Sequence, residues 1–423
     1  MNHRHQQPLR PESGILRTMT LSATESHPKQ HEFDIIILGG GIAGLWLLNR
    51  LRTAGYHAIL LEKQALGAGQ SIASQGMIHG GLKYALGGAL TGASEAIADM
   101  PAHWKKCLDG TGDVDLRGTR ILSEAYYMWP RNSLRSRFNA FFGSRAVRGK
   151  VTDVDEADWP AFFQGQIKGP LYRLHDLVLD VPSLLHTLRE RALPWIYQLD
   201  PDTCEAGISA SKGLEWLKLP DGTCLSARRF ICTAGAGNEA LLKLLPDNPV
   251  AMQRRPLQMM IVRHRLPHPV YVHCVSDQLS ATPELTITTH PCADGRSAWY
   301  LGGELAEAGA NRSAEAQLEA TRNLLASLFP WCDFSTAEFS AFRIDRAEAR
   351  QANGKRPDHD SVLSAGRLLY CWPTKLTLTP NMANRVLQLL AETGIVPQGL
   401  QGTPLSLPSP VVATPPWDLS GPN

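Results

Sequence analysis

The sequence predicts an α/β and α+β chain: a Rossmann-like nucleotide-binding domain and a second domain built on a mixed, largely antiparallel sheet. Three observations lead to this. An apolar run at 33–38 is followed by Gly39-Gly40-Gly41-Ile42-Ala43-Gly44 and then by an apolar-periodic stretch. A second apolar run ends in Glu62. Four alternating runs crowd into residues 255–305.

The elements follow in order. Residues 33–38 close on four consecutive apolar residues, as a strand buried on both faces does. Residues 42–54 place Leu45, Leu48 and Leu51 on one helical face, with Gly55 as the stop. A strand at 57–62 completes a βαβ unit, so this part of the chain forms a parallel sheet. A helix is expected at 181–193, and strands at 214–219 and 229–233. The runs at 257–262, 270–275, 284–289 and 297–301 read as antiparallel strands. A helix at 314–328, a strand at 368–372 and a helix at 380–392 finish the pattern. Residues 1–31 are polar and read as a disordered extension, and the Pro-rich 403–423 as an extended tail without a helix.

Composition narrows the function classes. A chain of 423 residues has room for two or three domains. With 42 basic and 40 acidic side chains, no nucleic-acid footprint is evident and no specific nucleic-acid partner is expected. None of the eight cysteines falls in a C-x-x-C pair, so no metal site is expected, and reduced thiols in a cytoplasmic protein are the simplest reading. The N-terminus has no secretory h-region, and no run of eighteen apolar residues suggests a membrane span. A monomer acting on a small molecule is the expectation. Neither a Ser-His-Asp arrangement nor H-E-x-x-H is visible, which leaves hydrolase and zinc-protease readings without support.

The glycine motif carries the most chemistry. Gly39 permits a tight turn, Gly41 lets a pyrophosphate approach the backbone, and Gly44 lets helix and strand pack closely. The backbone N–H groups of the helix start, at Ile42 and Ala43, then face the phosphates. Glu62 lies eighteen residues beyond Gly44 and would accept hydrogen bonds from an adenosine ribose, with Lys63 beside it. A run of small residues follows, including Gly69, Ser71, Ser74, Gln75, Gly76, Met77, His79 and Gly80. Such a run suits a backbone lying against a long flat cofactor and points to FAD rather than a nicotinamide.

These residues resemble the D-amino-acid oxidase superfamily of FAD-dependent oxidoreductases, with glycine oxidase and the FAD-dependent glycerol-3-phosphate dehydrogenases as the closest-looking members. The fingerprint with Glu62 is the first part of the match. The segment Ile78-His79-Gly80-Gly81-Leu82-Lys83-Tyr84 looks like the stretch beside the isoalloxazine, and Leu179-Asp180-Val181-Pro182-Ser183-Leu184 is similar to the entry into a helix of the FAD domain. Ile231-Cys232-Thr233-Ala234-Gly235-Ala236-Gly237 resembles the strand-turn on the adenine side, with Asn238 where the family has an aromatic residue or Ser. Thr374-Lys375-Leu376-Thr377-Leu378-Thr379-Pro380 resembles the loop and helix at the pyrimidine end, with Pro373-Thr374 in place of paired glycines. Lys375 either stabilises the reduced flavin there or sits on a solvated loop.

The resemblance implies a glutathione-reductase-type FAD domain made of 32–110, 175–250 and 343–402, and a substrate domain made of 111–174 and 251–342. It also implies oxidation of a C–N or C–O bond of a small anionic metabolite by hydride transfer to flavin N5. Arg343 and Arg346 lie roughly where the family has an anion-binding arginine, although its G-x-R-P pattern is not intact and Arg356-Pro357 follows nearby. Each arginine either forks a substrate anion or pairs with a local acid. His79 either serves the flavin or is satisfied by backbone carbonyls, Tyr300 either faces substrate or is a core aromatic, and Gln258 is a similar strand candidate that either faces substrate or lies in the core. The basic and aromatic segment 131–150 admits a membrane surface, a lid, RNA phosphates or a helix that packs on its own domain with solvated arginines. The alternative function is a tRNA-modifying flavoprotein oxidase acting on an aminomethyl-uridine.

Overall fold

The computed structural model describes residues 17–19, 30–81, 97–130, 151–245, 247–276, 282–399 and 402–419. The basic segment 131–150 and the Leu82-Lys83-Tyr84 end of the isoalloxazine-like stretch lie outside the described residues.

The first sheet has nine strands among the described residues. Its parallel centre is Ile196–Gln198, Ala58–Glu62, Gln30–Leu38 and Cys224–Cys232, with Leu368–Trp372 pairing to the end of the last. The apolar run works on both faces, as its composition requires. Ile35 and Ile37 face the helices Ile42–Thr53, Val181–Ala192 and Thr379–Glu392, while Phe33 and Ile36 enter a second core beneath the antiparallel meander Glu205–Ser209, Gly213–Lys218 and Cys224–Cys232.

Among the described residues the second sheet has eight strands and is antiparallel except where Val272–Val275 runs parallel to Tyr126–Pro130. Its four expected strands are present as Met252–His264, Val272–Val275, Leu285–Pro291 and Ser297–Gly302. Alternation divides the two faces. Met260, Val262, Trp299 and Leu301 pack against the helix Ala314–Leu328, and Leu257, Met259, Ile261 and Tyr300 form a separate cluster on the opposite face.

Three expectations need correction. The strand Glu338–Ala349 pairs along the whole of Met252–His264, so the boundary expected between 342 and 343 falls inside one strand of the second sheet. Within the 1–31 extension, Arg17–Met19 adds a parallel strand to Glu205–Ser209, and the second strand starts at Gln30. The Pro-rich tail is extended as expected, but it is packed, bridges Leu66 through Val412 and carries a 3₁₀ turn at Pro416–Asp418.

Candidate active site

Four segments that are far apart in sequence meet at the edge between the sheets. The glycine turn comes first. Gly39 has φ +110°, and a Cβ there would lie 2.5 Å from the Ala234 Cα, so this position needs glycine on two grounds. A Cβ on Gly44 would collide with the Gly39 carbonyl oxygen, so the third glycine allows helix and strand to touch. A Cβ on Gly41 would meet only the Ser71 Oγ, at 3.1 Å, among neighbouring atoms. The helix that starts at Ile42 has no side-chain cap and no acidic residue in its first turn. Ile42 N–H donates to Ser71 Oγ at 2.9 Å. Ser71 thus takes the first N–H, and the positive dipole end of the helix, with no acid beside it, suits a diphosphate.

Glu62 closes the adjacent strand. Its two oxygens accept from Gly40 N–H at 2.6 Å and Gln64 N–H at 2.9 Å, which fixes the carboxylate beside the turn with lone pairs remaining for ribose hydroxyls. Lys63 is exposed, and so is Gly69. The Ala234-Gly235 turn is held by buried Asn238, whose Oδ1 accepts from Ala234 N–H at 3.0 Å and whose Nδ2 donates to the Cys232 carbonyl at 3.2 Å. The departure from the family pattern therefore supports the turn from within.

The small-residue run is tied to the second sheet. Gln70 Oε1 accepts from Ala347 N–H at 3.1 Å, and Gln75 Nε2 donates to the Tyr300 carbonyl at 2.9 Å. Ser74 Oγ accepts from Gly76 N–H at 3.4 Å. Further along, the buried Thr377 hydroxyl donates to the Met77 carbonyl and accepts from His79 N–H, each at 3.3 Å. Gly80 N–H donates to buried Asp176 at 2.9 Å. Two segments nearly 300 residues apart in sequence, 77–80 and 374–377, are thus joined. Thr374 has φ +62°, the conformation that a glycine would favour at this position. Lys375 Nζ donates to the Asp358 carbonyl at 3.2 Å, and Leu376 opens the turn into the last helix.

Strand alternation separates the two candidate arginines. Arg343 lies opposite Gln258 on the helix-covered face and donates to the Arg312 carbonyl at 2.7 Å. Arg346 lies opposite Arg255 on the face that carries Tyr300. Its guanidinium is 32% exposed and stands 3.6 Å from Glu307. Arg255 donates from Nε and Nη2 to the two oxygens of buried Glu348. Arg356 sits in the loop beyond the strand. Tyr300 is fully buried, and its hydroxyl donates to the Ala73 carbonyl at 3.0 Å. Burial holds this phenol well above its ordinary value. It is a core aromatic whose polar end reaches the small-residue run, which corrects the reading of a phenol open to substrate. Gln258 is likewise buried, beneath the helix-side loop.

Gln70 and Asp176 take part in this arrangement with no signal in the sequence, because each acts across a long sequence separation. One further cluster, His103, Cys107 and Asp113, brings three potential ligand atoms within 4.8 Å of one another. Its carboxylate is engaged by Arg50 at 3.0 Å and His103 at 2.9 Å, and burial raises the Cys107 thiol to about 12, so the group is built as an internal polar clamp.

A parallel sheet with an uncapped glycine turn and a terminal acid, joined to an antiparallel sheet across a small-residue run, defines a dinucleotide-binding oxidoreductase fold. Residues 34–372 match the family model described as FAD dependent oxidoreductase (DAO). A probable FAD-dependent oxidoreductase of Pseudomonas aeruginosa is 46% identical over 399 residues, 93% of this chain and 99% of the relative. The crystal structure of an FAD dependent oxidoreductase from that organism superposes with a TM-score of 0.79 at 43% identity, covering 92% of this chain and 99% of the other. Glycine oxidase from Geobacillus kaustophilus shares the fold, with a TM-score of 0.62 at 16% identity over 86% and 95% of the two chains. So does an FAD-bound L-alpha-glycerophosphate oxidase from Mycoplasma pneumoniae, with 0.60 at 14% over 85% and 95%. The chain belongs to the DAO family of FAD-dependent oxidoreductases, and its cofactor is FAD. Among the described residues, no helix is long and apolar enough to cross a membrane.

Proposed function

We propose that this enzyme oxidises a C–N or C–O bond of a small anionic metabolite, by hydride transfer from the substrate carbon to flavin N5. Bound FAD supplies the two-electron acceptor. The protein's own part is to hold the acid group, orient the reacting carbon and keep water out. Arg346 is the proposed anion anchor. The observation that carries this is its sheet face: it shares that face with Tyr300, and the next residue, Ala347, is bonded to Gln70 of the small-residue run. Arg343 belongs to the opposite face and has a structural role there.

In the same reading, the diphosphate lies against Gly41, Ile42, Ala43 and Ser71, and the ribose against Glu62. The Ala234-Gly235 turn serves the adenine side. The flavin lies along 69–80, with its pyrimidine end toward Lys375 and Thr377. His79 contributes its backbone through Thr377, in support of a positioning role. All eight cysteines are free thiols, which supports a reducing, cytoplasmic location. The uridine-oxidase alternative drew on the segment 131–150, outside the described residues, and no other observation favours it.

The test is anaerobic mixing of the holoenzyme with pools of small amino acids and hydroxy acids while flavin absorbance is followed. One pool is expected to bleach the flavin. Arg346→Ala should then raise the half-bleaching concentration about tenfold or more, since a hydrogen bond to a charged group contributes roughly 1.5–3 kcal/mol. Arg343→Ala should leave it within about twofold, the change expected where no substrate contact is lost. A larger effect at Arg343 than at Arg346 would overturn the assignment.

A further inference from the structure

Residues 402–419 form a strap that crosses from one sheet to the other. Leu405 N–H donates to the Tyr197 hydroxyl at 3.0 Å, and Gln198 N–H to the Pro408 carbonyl at 2.7 Å. Arg189 Nε donates to the Pro410 carbonyl at 3.0 Å. Leu66 exchanges bonds with the strap on both sides: its N–H donates to Val411 at 2.7 Å, and its carbonyl accepts from Ala413 at 2.9 Å. All these partners belong to the cofactor domain. The strap then passes to the substrate sheet. Trp417 is 2% exposed and stacks on His290, with ring centroids 4.0 Å apart and planes 19° apart. It meets Tyr300 at 5.5 Å and 61°. Asp418 accepts from Ala293 N–H at 2.9 Å.

The path closes on itself. Trp417 supports the ring of Tyr300, whose hydroxyl returns to the cofactor domain at Ala73. The Gln75 side chain reaches the Tyr300 carbonyl from the same run. Tyr300 is therefore bonded to the small-residue run at both its hydroxyl and its backbone, with the strap's indole behind it. We propose that Trp417 is a positioning residue for FAD: it holds Tyr300 so that the Ala73 carbonyl, and with it the run 67–81, keeps the shape the cofactor binds. This rests on the assignment of that run to FAD. An indole stacked on His290 and edge-on to Tyr300 loses both contacts as a unit when removed, so the effect should pass through Tyr300 rather than add to it.

The experiment is reconstitution of the full-length apoprotein with FAD, with the dissociation constant read from quenching of FAD fluorescence. Trp417→Ala and Tyr300→Phe are each expected to weaken FAD binding about tenfold, Trp417→Phe by less, and the double variant Trp417→Ala/Tyr300→Phe no more than the worse single, as coupling through one residue requires. A strap that is only a structural anchor would lower melting temperature while leaving the FAD dissociation constant unchanged. That result, or additive effects in the double variant, overturns the proposal. Tyr300→Phe keeps the ring and its packing, so it decides the matter alone if Trp417→Ala does not fold: unchanged FAD affinity overturns the proposal. Ser71→Ala separates the two levels. If it weakens FAD binding while the Tyr300 and Trp417 variants do not, the strap proposal falls and the cofactor assignment stands. If it too has no effect, the assignment of the run falls.

Discussion

At the residue scale, single atoms decide the site. Gly44 has no side chain because the Gly39 carbonyl and the Thr233 hydroxyl occupy the space a Cβ would need. Neither neighbour can yield cheaply: Gly39 ends the strand, and Thr233 donates to the Gly39 carbonyl at 2.8 Å. Gly44→Ala should therefore push helix and strand apart at the phosphate turn. The expected cost is about 1–3 kcal/mol of stability, the usual range for overpacking. FAD content after purification should fall with it, and melting temperature with bound-flavin absorbance checks both. A variant with full FAD content and unchanged melting would show that the turn tolerates the methyl group. The fingerprint was legible in the sequence for this reason. The three glycines fall within six consecutive residues, so the pattern is visible even though atoms that require them, on Ala234 and Thr233, lie far along the chain. Thr374 shows the opposite situation. Its positive φ occurs at a non-glycine residue, so the resemblance marked the place but could not supply the conformation.

At the element scale, the strand Glu338–Ala349 is the instructive case. Its centre, Arg343-Ile344-Asp345-Arg346-Ala347-Glu348, carries four charges in six residues, so no apolar period marks it as a strand. It is an edge strand of its sheet, and edge strands carry charge to resist further pairing. The parallel strands at 33–38, 57–62 and 229–233 and the four runs between 257 and 301 were legible because burial on one or both faces leaves a period in the sequence, whereas Tyr126–Pro130, Leu171–Leu174 and Glu205–Ser209, equally interior, were too short or too mixed to be marked. Missing this strand also left the two arginines unresolved, because only the register shows that residues 343 and 346 point to opposite faces. The strand's own stability depends on a buried acid. Glu348 is 1% exposed and binds Arg255 at both oxygens, with Gln253 donating at 2.8 Å. Removing only the acid leaves Arg255 unpaired. Glu348→Ala should lower unfolding free energy by about 3 kcal/mol, the low end of the range for breaking a buried pair, because Arg255 remains 23% exposed. Glu348→Leu combined with Arg255→Met should recover most of that loss in urea titrations. A double variant as unstable as the single would mean that packing, not the orphaned charge, is what the acid supplies.

At the scale of the whole molecule, the two sheets are held in register by contacts that no local pattern announces. Gln70, Gln75 and Tyr300 join the small-residue run to the substrate sheet, and the strap spans both. Composition correctly marked the strap as extended, but Pro-rich sequence says nothing about what it lies on. Its anchor rests on His290, a fully buried imidazole whose Nε2 is 2.8 Å from the Thr288 hydroxyl and whose ring faces Trp417 and Tyr300. Burial lowers its pKa to about 3 from the ordinary 6.5, and that of His264 to about 4. Both groups are neutral in the folded state, while the unfolded chain takes up their protons below about pH 6.5. Their contribution is therefore complete above that pH and is lost as pH falls toward the folded values. Within that window each uncompensated proton steepens the loss by about 1.4 kcal/mol per pH unit. Urea midpoints measured from pH 7 to pH 5 should fall for the natural chain and fall less for His290→Gln, which fills a similar volume and cannot titrate there. Parallel curves would place the acid sensitivity elsewhere. A shallower curve for the variant would mean that the imidazole under the strap's anchor is one of the points where acid opens the molecule.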